Sequence, residues 1–509
     1  MRRPGKGLRN NCLALSGALA CGSLTALALP RPGLCLLAWF SLTPLFALWR
    51  RSSGWRQAAL LGLAAGFGFH GTALYWIYST CRFAGLAVFV GVLAWASLAF
   101  FMALNWGLIG ALGRWAEPKG ALRPWAWAAV WTAVTFACER WTPRLCIDML
   151  GYTQWRFISL LQVSSLAGPH FLGFVVVAAN AVGEGAWDEF QRRKIQWINP
   201  CAILLLIAGS LGYGFAQLAR RSAAMSGSFL RVEILQPVVD QYQKFDALYA
   251  RRIQDNFAEL LSRPRAGAAD LVVWPETCLP DWVMARQGIP QVAAWARKLK
   301  SFQLVGAVSQ DRDASHNSAF LISPEGQVQA AYHKRQLVPF GEFVPFKFLG
   351  RFIGILDQMG GLAPGAALQP LFETPLGTAA AGICYEAAFP RLARSDAARG
   401  ARLVFNLTND GWYKDTWGPY QHFGVNIYRA IENRVTVVRC GNTGISAVID
   451  PWGVVTAQLA LGQRGRLDAR VPSSDPFPRR SFYARHGDWF GGLCLMAMAA
   501  LVLAVFWRP

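Results

Sequence analysis

The sequence predicts a membrane α-helical bundle of about eight spans joined to a mixed α/β domain. Three observations predict it. The 509-residue chain is 54% hydrophobic and 16% charged, with a mean hydropathy of +0.27, where soluble domains run at about 45–50% apolar and about 25% charged. Apolar stretches of spanning length crowd the first 218 residues and recur once near the end. Between them, short β-branched runs alternate with amphipathic stretches and turn signals. Disorder, a coiled coil and a single soluble globule are excluded. The net charge of +21, from 50 Lys and Arg against 29 Asp and Glu, would suit nucleic acid or an anionic membrane surface. The apolar runs decide for the lipid bilayer as partner, and no nucleic-acid partner is expected.

A spanning helix needs roughly 20 mostly apolar residues. Candidate stretches lie at 11–29, 34–49, 58–78, 83–112, 122–138, 169–186 and 198–218, with a last one at 489–507; the second is short and the fourth is long enough to tilt. Loop charge orients them. Arg2, Arg3, Lys6 and Arg9 precede the first stretch, and Arg50, Arg51 and Arg56 follow the second. Arg114, Lys119 and Arg123 follow the fourth; Arg192, Arg193 and Lys194 follow the sixth. The opposite short loops carry only Arg31 and Arg82, while the longer fifth-to-sixth loop holds Arg140, Arg144 and Arg156. The positive-inside rule then puts both termini in the cytoplasm and delivers everything after residue 218 to the far side. Ala26-Leu27-Ala28 also resembles a signal-peptide cleavage site, a reading that leaves the later topology unchanged. The expected organisation is 1–220, a seven-helix membrane domain; 221–487, an extracytoplasmic α/β domain; and 488–509, a final transmembrane helix.

Within the α/β domain, strands are expected at 229–235, 271–274, 304–308, 319–322, 328–332, 379–383, 403–406, 435–439 and 446–449. Pro324-Glu325-Gly326 and Pro451-Trp452-Gly453 read as turns between adjacent strands. Tyr249, Ile253, Phe257, Leu260 and Leu261 follow helical spacing, as do Tyr420, Phe423, Ile427 and Ile431. A domain of about 265 residues is long enough to bury its own core.

Three of the strand-like runs end abruptly in polar residues. Residues 271–274 run into Pro275-Glu276-Thr277, 328–332 into His333-Lys334-Arg335, and 379–383 into Cys384-Tyr385-Glu386. In α/β sheets reactive groups collect at strand ends, where side chains leave the core. An acid, an amine and a thiol so placed are the inventory of thiol acyl transfer: a nucleophile, a base to make its thiolate, and a cation for the oxyanion. Each residue alone has a plainer reading. Cys384 would be a small core side chain, Glu276 a group at a helix start, and Lys334 part of a solvated basic run.

The wording around these residues favours the first reading. The strings are Leu235-Gln236-Pro237 with Gln241 and Lys244; Trp274-Pro275-Glu276-Thr277; His316-Asn317-Ser318; Tyr332-His333-Lys334-Arg335 continuing through Leu337-Val338-Pro339-Phe340-Gly341-Glu342; Gly382-Ile383-Cys384-Tyr385-Glu386; Asn409-Asp410-Gly411-Trp412; Gln421-His422; Asn442-Thr443-Gly444; and Phe482-Tyr483 with Gly487-Asp488-Trp489. In these the chain resembles bacterial apolipoprotein N-acyltransferases, the membrane branch of the nitrilase superfamily. The resemblance implies an extracytoplasmic nitrilase-like α-β-β-α sandwich over the membrane bundle. It implies Glu276 as general base, Lys334 as the lysine stabilising the transition state and Cys384 as nucleophile. Glu342 matches an additional acid near that lysine, and Tyr385 and Glu386 match supporting positions beside the nucleophile.

The implied substrates are a membrane phospholipid as acyl donor and a diacylglyceryl-apolipoprotein as acceptor, at the bacterial inner membrane with the catalytic domain in the periplasm. Trp412, Tyr413, Trp417 and Tyr420 are candidates for an acyl pocket. The chain departs from the family at Gly411-Trp412-Tyr413-Lys414-Asp415, where many relatives have Ala-Trp-Phe-Gly. It departs again at Cys440, where a small Ala or Ser is expected, and at Asn433-Arg434-Val435. These changes bear on acceptor or lipid preference rather than on the reaction.

Eleven cysteines lie scattered without a CxxC pair, and the six histidines form no ligand-spaced motif, so no metal and no cofactor are expected. Cys278–Cys440 pairing stays open. Two other classes compete. A membrane-tethered amidase would use the same triad with water as acceptor, and a transporter would place functional charges within its spans. Glu139 and Glu184 are the obvious acids near the spans, and each sits near an end. The orientation has a direct test: a reporter active only outside the cytoplasm should be active when fused near Ser262 and silent near Arg193. The reverse pattern would overturn it.

Overall fold

The computed structural model describes residues 4–507, apart from 117–118, 144, 192–196, 225–227, 245, 266, 280–282, 285–288, 312–313, 344–360 and 473–479. Arg2, Arg3, Arg144, Arg192, Arg193 and Lys194, used above for orientation, lie outside the described residues. The chain forms two compact units. The first comprises Met1–Ala219, Thr416–Tyr428 and Ser481–Pro509, and the second Arg220–Asp415 and Arg429–Arg480.

The first unit is helical. Among the described residues, Val88–Ala116, Ile198–Arg221 and Trp489–Phe506 are long and apolar enough to cross a membrane. Two further pairs are bent: Trp55–Ala73 with Trp76–Phe83 by 47°, and Ile158–Ala167 with His170–Ala186 by 114°. Counting each bent pair once gives up to five spans, where hydropathy alone suggests about eight. Of the three remaining stretches, 11–29 holds the shorter apolar helix Asn11–Ala26. The stretch 34–49 is not one helix but a short turn, Cys35–Trp39, and a nine-residue helix, Thr43–Arg51, with Pro44 in its first turn. The stretch 122–138 is the helix Arg123–Trp141, whose residues Trp127 to Val134 are all buried. By contrast, Val88–Ala116 exposes Phe89, Leu93, Phe100, Leu104 and Leu108, the face that lipid would solvate. Hydropathy reports apolar composition, not whether protein or lipid covers it.

Small residues let these helices close on one another. A Cβ on Gly62 would stand 2.2 Å from the Trp106 carbonyl oxygen, so Trp55–Ala73 and Val88–Ala116 meet backbone to backbone. Both acids noted near the spans are paired. Glu184 takes Arg50 at 2.7 Å and Arg123 at 2.9 Å, and Glu139 meets His170 at 2.7 Å. The segment Thr416–Tyr428 packs within this unit. Gln421 accepts from Trp76 Nε1 at 3.2 Å and donates to the Ala73 carbonyl at 3.0 Å. That carbonyl lies at the end of Trp55–Ala73, where helical partners run out.

The second unit is built on two sheets. Its strands are β1 Phe229–Gln236, β2 Leu271–Val273, β3 Val283–Met284, β4 Phe302–Gln310, β5 Ser315–Ile322, β6 Val328–His333, β7 Phe372–Thr374, β8 Gly377–Ile383, β9 Leu403–Thr408, β10 Thr436–Gly441, β11 Ser446–Ile449, β12 Val455–Leu459 and β13 Gly465–Pro472. One sheet runs β13-β1-β2-β4-β5-β6 with β3 beside β4, and the other β12-β11-β10-β9-β8-β7. All nine expected strands are present. The four others escape a pattern search. β3 and β7 are two and three residues long, β12 sets Thr456 and Gln458 among apolar residues, and β13 alternates Arg466, Asp468 and Arg470 with apolar positions.

Helices Ala247–Ser262 and Pro290–Leu299 cover the first sheet, with Phe257, Leu260, Val292 and Ala296 against Val272, Val305 and Phe320. Helix Pro390–Arg399 packs against β8. The sheets face each other directly: Cys440 Sγ on β10 reaches the Leu235 carbonyl at 3.3 Å and the Val273 carbonyl at 3.4 Å. Cys278 and Cys440 are both free thiols.

The helix contact at Gly62 is open to test. Gly62→Ala should lower the thermal unfolding midpoint in detergent, because overpacking of this kind costs about 1–3 kcal/mol. An unchanged midpoint would show that the two helices do not approach so closely.

Candidate active site

Glu276, Lys334 and Cys384 leave β2, β6 and β8 at their carboxyl ends. All three are buried, with Glu276 6%, Lys334 1% and Cys384 6% exposed. Lys334 Nζ lies 2.8 Å from Glu342 Oε1 and 3.4 Å from Glu276 Oε1. Asn317, on β5, donates from one nitrogen to both acids, at 2.7 Å to Glu276 Oε1 and 2.8 Å to Glu342 Oε1. Glu342 is held in turn by the Val338 N–H at 2.8 Å. Two carboxylates therefore share one ammonium and one amide. Burial works against the charge on Lys334, but Glu276 and Glu342 outweigh it and hold its pKa above the usual lysine value.

Cys384 begins the short 3₁₀ turn Cys384–Ala388 with φ +50°. This is the left-handed region, uncommon outside glycine and frequent where strain serves a site. Glu386 bolts this turn down. Its carboxylate accepts from the Ile383 N–H and the Tyr332 hydroxyl at 2.7 Å each, and from the Arg335 and Gln336 N–H groups at 2.7 and 3.1 Å. Burial still raises the Glu386 pKa, against the pull of those hydrogen bonds. Arg335 extends the brace to Asp396 at 2.7 Å. Asn406 Nδ2 donates to the Cys384 carbonyl at 3.1 Å, and Arg439 donates to Asn406 Oδ1 at 2.6 Å and to Asp410.

The Cys384 thiol is pushed up to about 12. Burial is the main cause, with the Glu276 and Asp410 charges adding to it; Lys334 and a hydrogen bond with Thr408 oppose. At neutral pH the sulfur carries its proton, so attack needs a base. Glu276 is the acid whose charge bears most on that thiol.

The structure brings together Glu276, Lys334, Cys384, Glu342 and Glu386. Tyr385 stands edge-on to Phe389, ring centroids 4.9 Å apart. Of the aromatic candidates, Tyr413 lies in the second unit, where burial and then the Cys384 charge raise its pKa. Trp412 lies edge-on to Tyr242 at 6.5 Å. Trp417 and Tyr420 pack in the first unit, against Tyr75 at 5.5 Å and beneath Arg31 at 4.8 Å. The departing Lys414 lies 3.7 Å from Asp240. Asn317, Asn406, Asp410 and Arg439 had no role assigned from sequence. Asn317 and Asp410 stand in the strings quoted above, and Arg439 is a signal of its own, a charge set between Val437-Val438 and Cys440, fully buried here.

A two-sheet α/β unit with an acid, a lysine and a cysteine at neighbouring strand ends is nitrilase-like, and residues 244–475 match the carbon-nitrogen hydrolase family. Residues 21–182 match the apolipoprotein N-acyltransferase N-terminal domain. The chain is 32% identical over 507 residues to the apolipoprotein N-acyltransferase of Geobacter metallireducens, covering 96% of this chain and 95% of that one. It is 30% identical over 498 residues to that of a Nostoc species, covering 93% and 96%. Among solved structures, Saccharomyces cerevisiae Nit3, of the nitrilase superfamily, is 20% identical with a TM-score of 0.37, covering 48% of this chain and 90% of that one. An amidase from Nesterenkonia sp. is 22% identical at 0.36, covering 52% and 98%. The chain belongs to the apolipoprotein N-acyltransferase family.

The field on Cys384 makes an unusual forecast. Glu276→Gln removes a charge that raises the thiol pKa, so alkylation of Cys384 by a small electrophile at pH 9 should quicken. Lys334→Met removes a charge that lowers it and should slow the same reaction, since the rate follows the thiolate fraction, about tenfold per unit. Intact-protein mass spectrometry reads both, and the opposite order would refute the assigned field.

Proposed function

We propose that this chain takes a fatty acyl group from a membrane phospholipid, holds it as a thioester on Cys384, and passes it to the α-amine of an apolipoprotein's N-terminal diacylglyceryl-cysteine. The observation that carries this reading is a buried, protonated thiol on a left-handed strand end, under the charges of Glu276 and of a lysine shared by two carboxylates. The apolar helices of the first unit support lipid-borne substrates, since a soluble amide would need no membrane tether. The domains proposed are those of the sequence reading, with the α/β domain on the periplasmic side and both termini cytoplasmic.

The chemistry follows from these positions. As Cys384 Sγ attacks the ester carbonyl, its proton passes to Glu276. The new oxyanion is stabilised by Lys334 and by the N–H that follows the cysteine. The C–O bond breaks, and Glu276 returns the proton to the lysophospholipid oxygen. In the second half, the neutral amine attacks the thioester and Glu276 takes its proton. The C–S bond then breaks, and that proton restores the thiol. Trp412, Tyr413, Trp417 and Tyr420 are proposed to contact acyl chains. Water must be kept out between the halves, or the thioester is lost to hydrolysis.

The kinetics should be ping-pong. Phospholipid alone should load Cys384, release one equivalent of lysophospholipid and stall. A diacylglyceryl-cysteine peptide with a free α-amine should discharge the thioester; its acetylated form should not. Cys384→Ala and Glu276→Gln should prevent loading. Lys334→Ala should slow it by roughly 10²–10³, the usual effect of one oxyanion donor. Continuous lysophospholipid release without any amine, at a rate the peptide does not raise, would make water the acceptor and the protein a hydrolase.

A further inference from the structure

Lys244 is a second buried lysine, 1% exposed, and the acyl transfer written above does not use it. It lies between β1 and helix Ala247–Ser262. Its Nζ donates to the Glu276 main-chain oxygen at 2.9 Å and to the Thr277 hydroxyl. Lysine is almost never fully buried unless paired. Burial lowers this one to about 8, although Glu276, Cys278 and Cys384, the ionisable groups facing it, all pull it upward. An apolar side chain of the same length would fill the space without that desolvation, so the charge itself has something to act on.

The turn that Lys244 grips is confined elsewhere too. Thr277 has φ +40°, a conformation rare for a β-branched residue. A Cβ on Gly306 of β4 would stand 2.5 Å from the Pro275 oxygen and 2.7 Å from Glu276 Cα. The Cys278 N–H donates to the Gly306 carbonyl at 3.0 Å. β4 thus closes against the backbone of the turn, while Lys244 donates to its oxygens.

We propose that Lys244 is a positioning residue for Glu276: its ammonium fixes the Glu276–Thr277 turn, and so the stance of the carboxylate, and its charge favours the ionised form that must accept the Cys384 proton. The proposal rests on the acyl-enzyme reading above. Lys244 acts through Glu276, and its own proton is not transferred. Below about pH 8 the ammonium is charged and the help is present; as pH rises through that value the charge and the help are lost.

The test uses the full chain in phospholipid, with loading of Cys384 followed by intact mass across a pH series. Lys244→Met keeps the stem and removes the charge. It should load about tenfold more slowly across the range below pH 8, because the carboxylate loses its fixed stance, and its acid limb should move to higher pH. Lys244→Arg, charged at every working pH, should recover much of the rate and sustain it above pH 8. Thr277→Val, which removes one acceptor and leaves the charge, should slow loading without moving the acid limb. A folded Lys244→Met variant that loads at the parent rate with an unmoved limb overturns the proposal. Should that variant not fold, Thr277→Val loading at the parent rate, or Lys244→Arg declining above pH 8 as the parent does, overturns it instead. A second readout needs no acyl transfer: a carbon-13-labelled Glu276 carboxyl should titrate at higher pH in Lys244→Met than in the parent, because a nearby positive charge is gone. If that shift appears while the parent chain never loads, the acyl-enzyme reading fails and the positioning role stands. An unmoved titration refutes the positioning role whatever the loading shows.

Discussion

One ammonium shared between two carboxylates organises the second unit. Lys334 faces Glu276 and Glu342, and Asn317 donates to the same two oxygens. Burying a carboxylate is costly unless it is paired and hydrogen-bonded. Here the pairing is tight enough to raise the lysine and leave it charged. Breaking a buried pair by removing one partner typically costs about 3–5 kcal/mol, so β5, β6 and the 337–342 segment are tied together by electrostatics as much as by apolar packing. The thiol nearby is left with the opposite problem. Burial and the Glu276 and Asp410 charges raise its pKa, so at neutral pH it keeps its proton.

Around that cluster, strain is held by satisfied polar networks. The left-handed turn at Cys384 survives because Glu386 occupies four donors from β6, β8 and the residues that follow β6. The Arg439–Asp410–Asn406 chain does the same for the Cys384 carbonyl from β9 and β10. Such networks rigidify a site only when every member is paired. The strained position of Cys384 therefore depends on residues far from it in sequence.

In the first unit the corresponding constraint is close helix approach. Gly62 lets two helices meet at backbone distance. Glu184 collects Arg50 and Arg123 from two different helices, so part of the positive charge flanking the apolar stretches is structural. Gln421, from a segment distant in sequence, satisfies the carbonyl freed where Trp55–Ala73 ends. A bent helix pair is thereby stabilised by a residue that no local reading of the bend would include.

By itself the sequence determined the mixed architecture, nine of the strands, the strand-end positions of Glu276, Lys334 and Cys384, and the family. Each of these is written in local chemistry: hydropathy, two-residue alternation, and short strings around a reactive side chain. The tertiary structure decided what local chemistry cannot carry. Hydropathy reports composition and not helix continuity, so 34–49 reads as one span where the chain forms the separate pieces Cys35–Trp39 and Thr43–Arg51. A search for β-branched runs passes over edge strands such as β12 and β13, whose outward positions are polar. Asn317 and Lys244 stand in the family-like strings without a role that local chemistry can assign, and Arg439 is a lone charge beside apolar residues. They become parts of the site only once the strands are in register and the water is gone, because a buried polar group must find its partner across the fold.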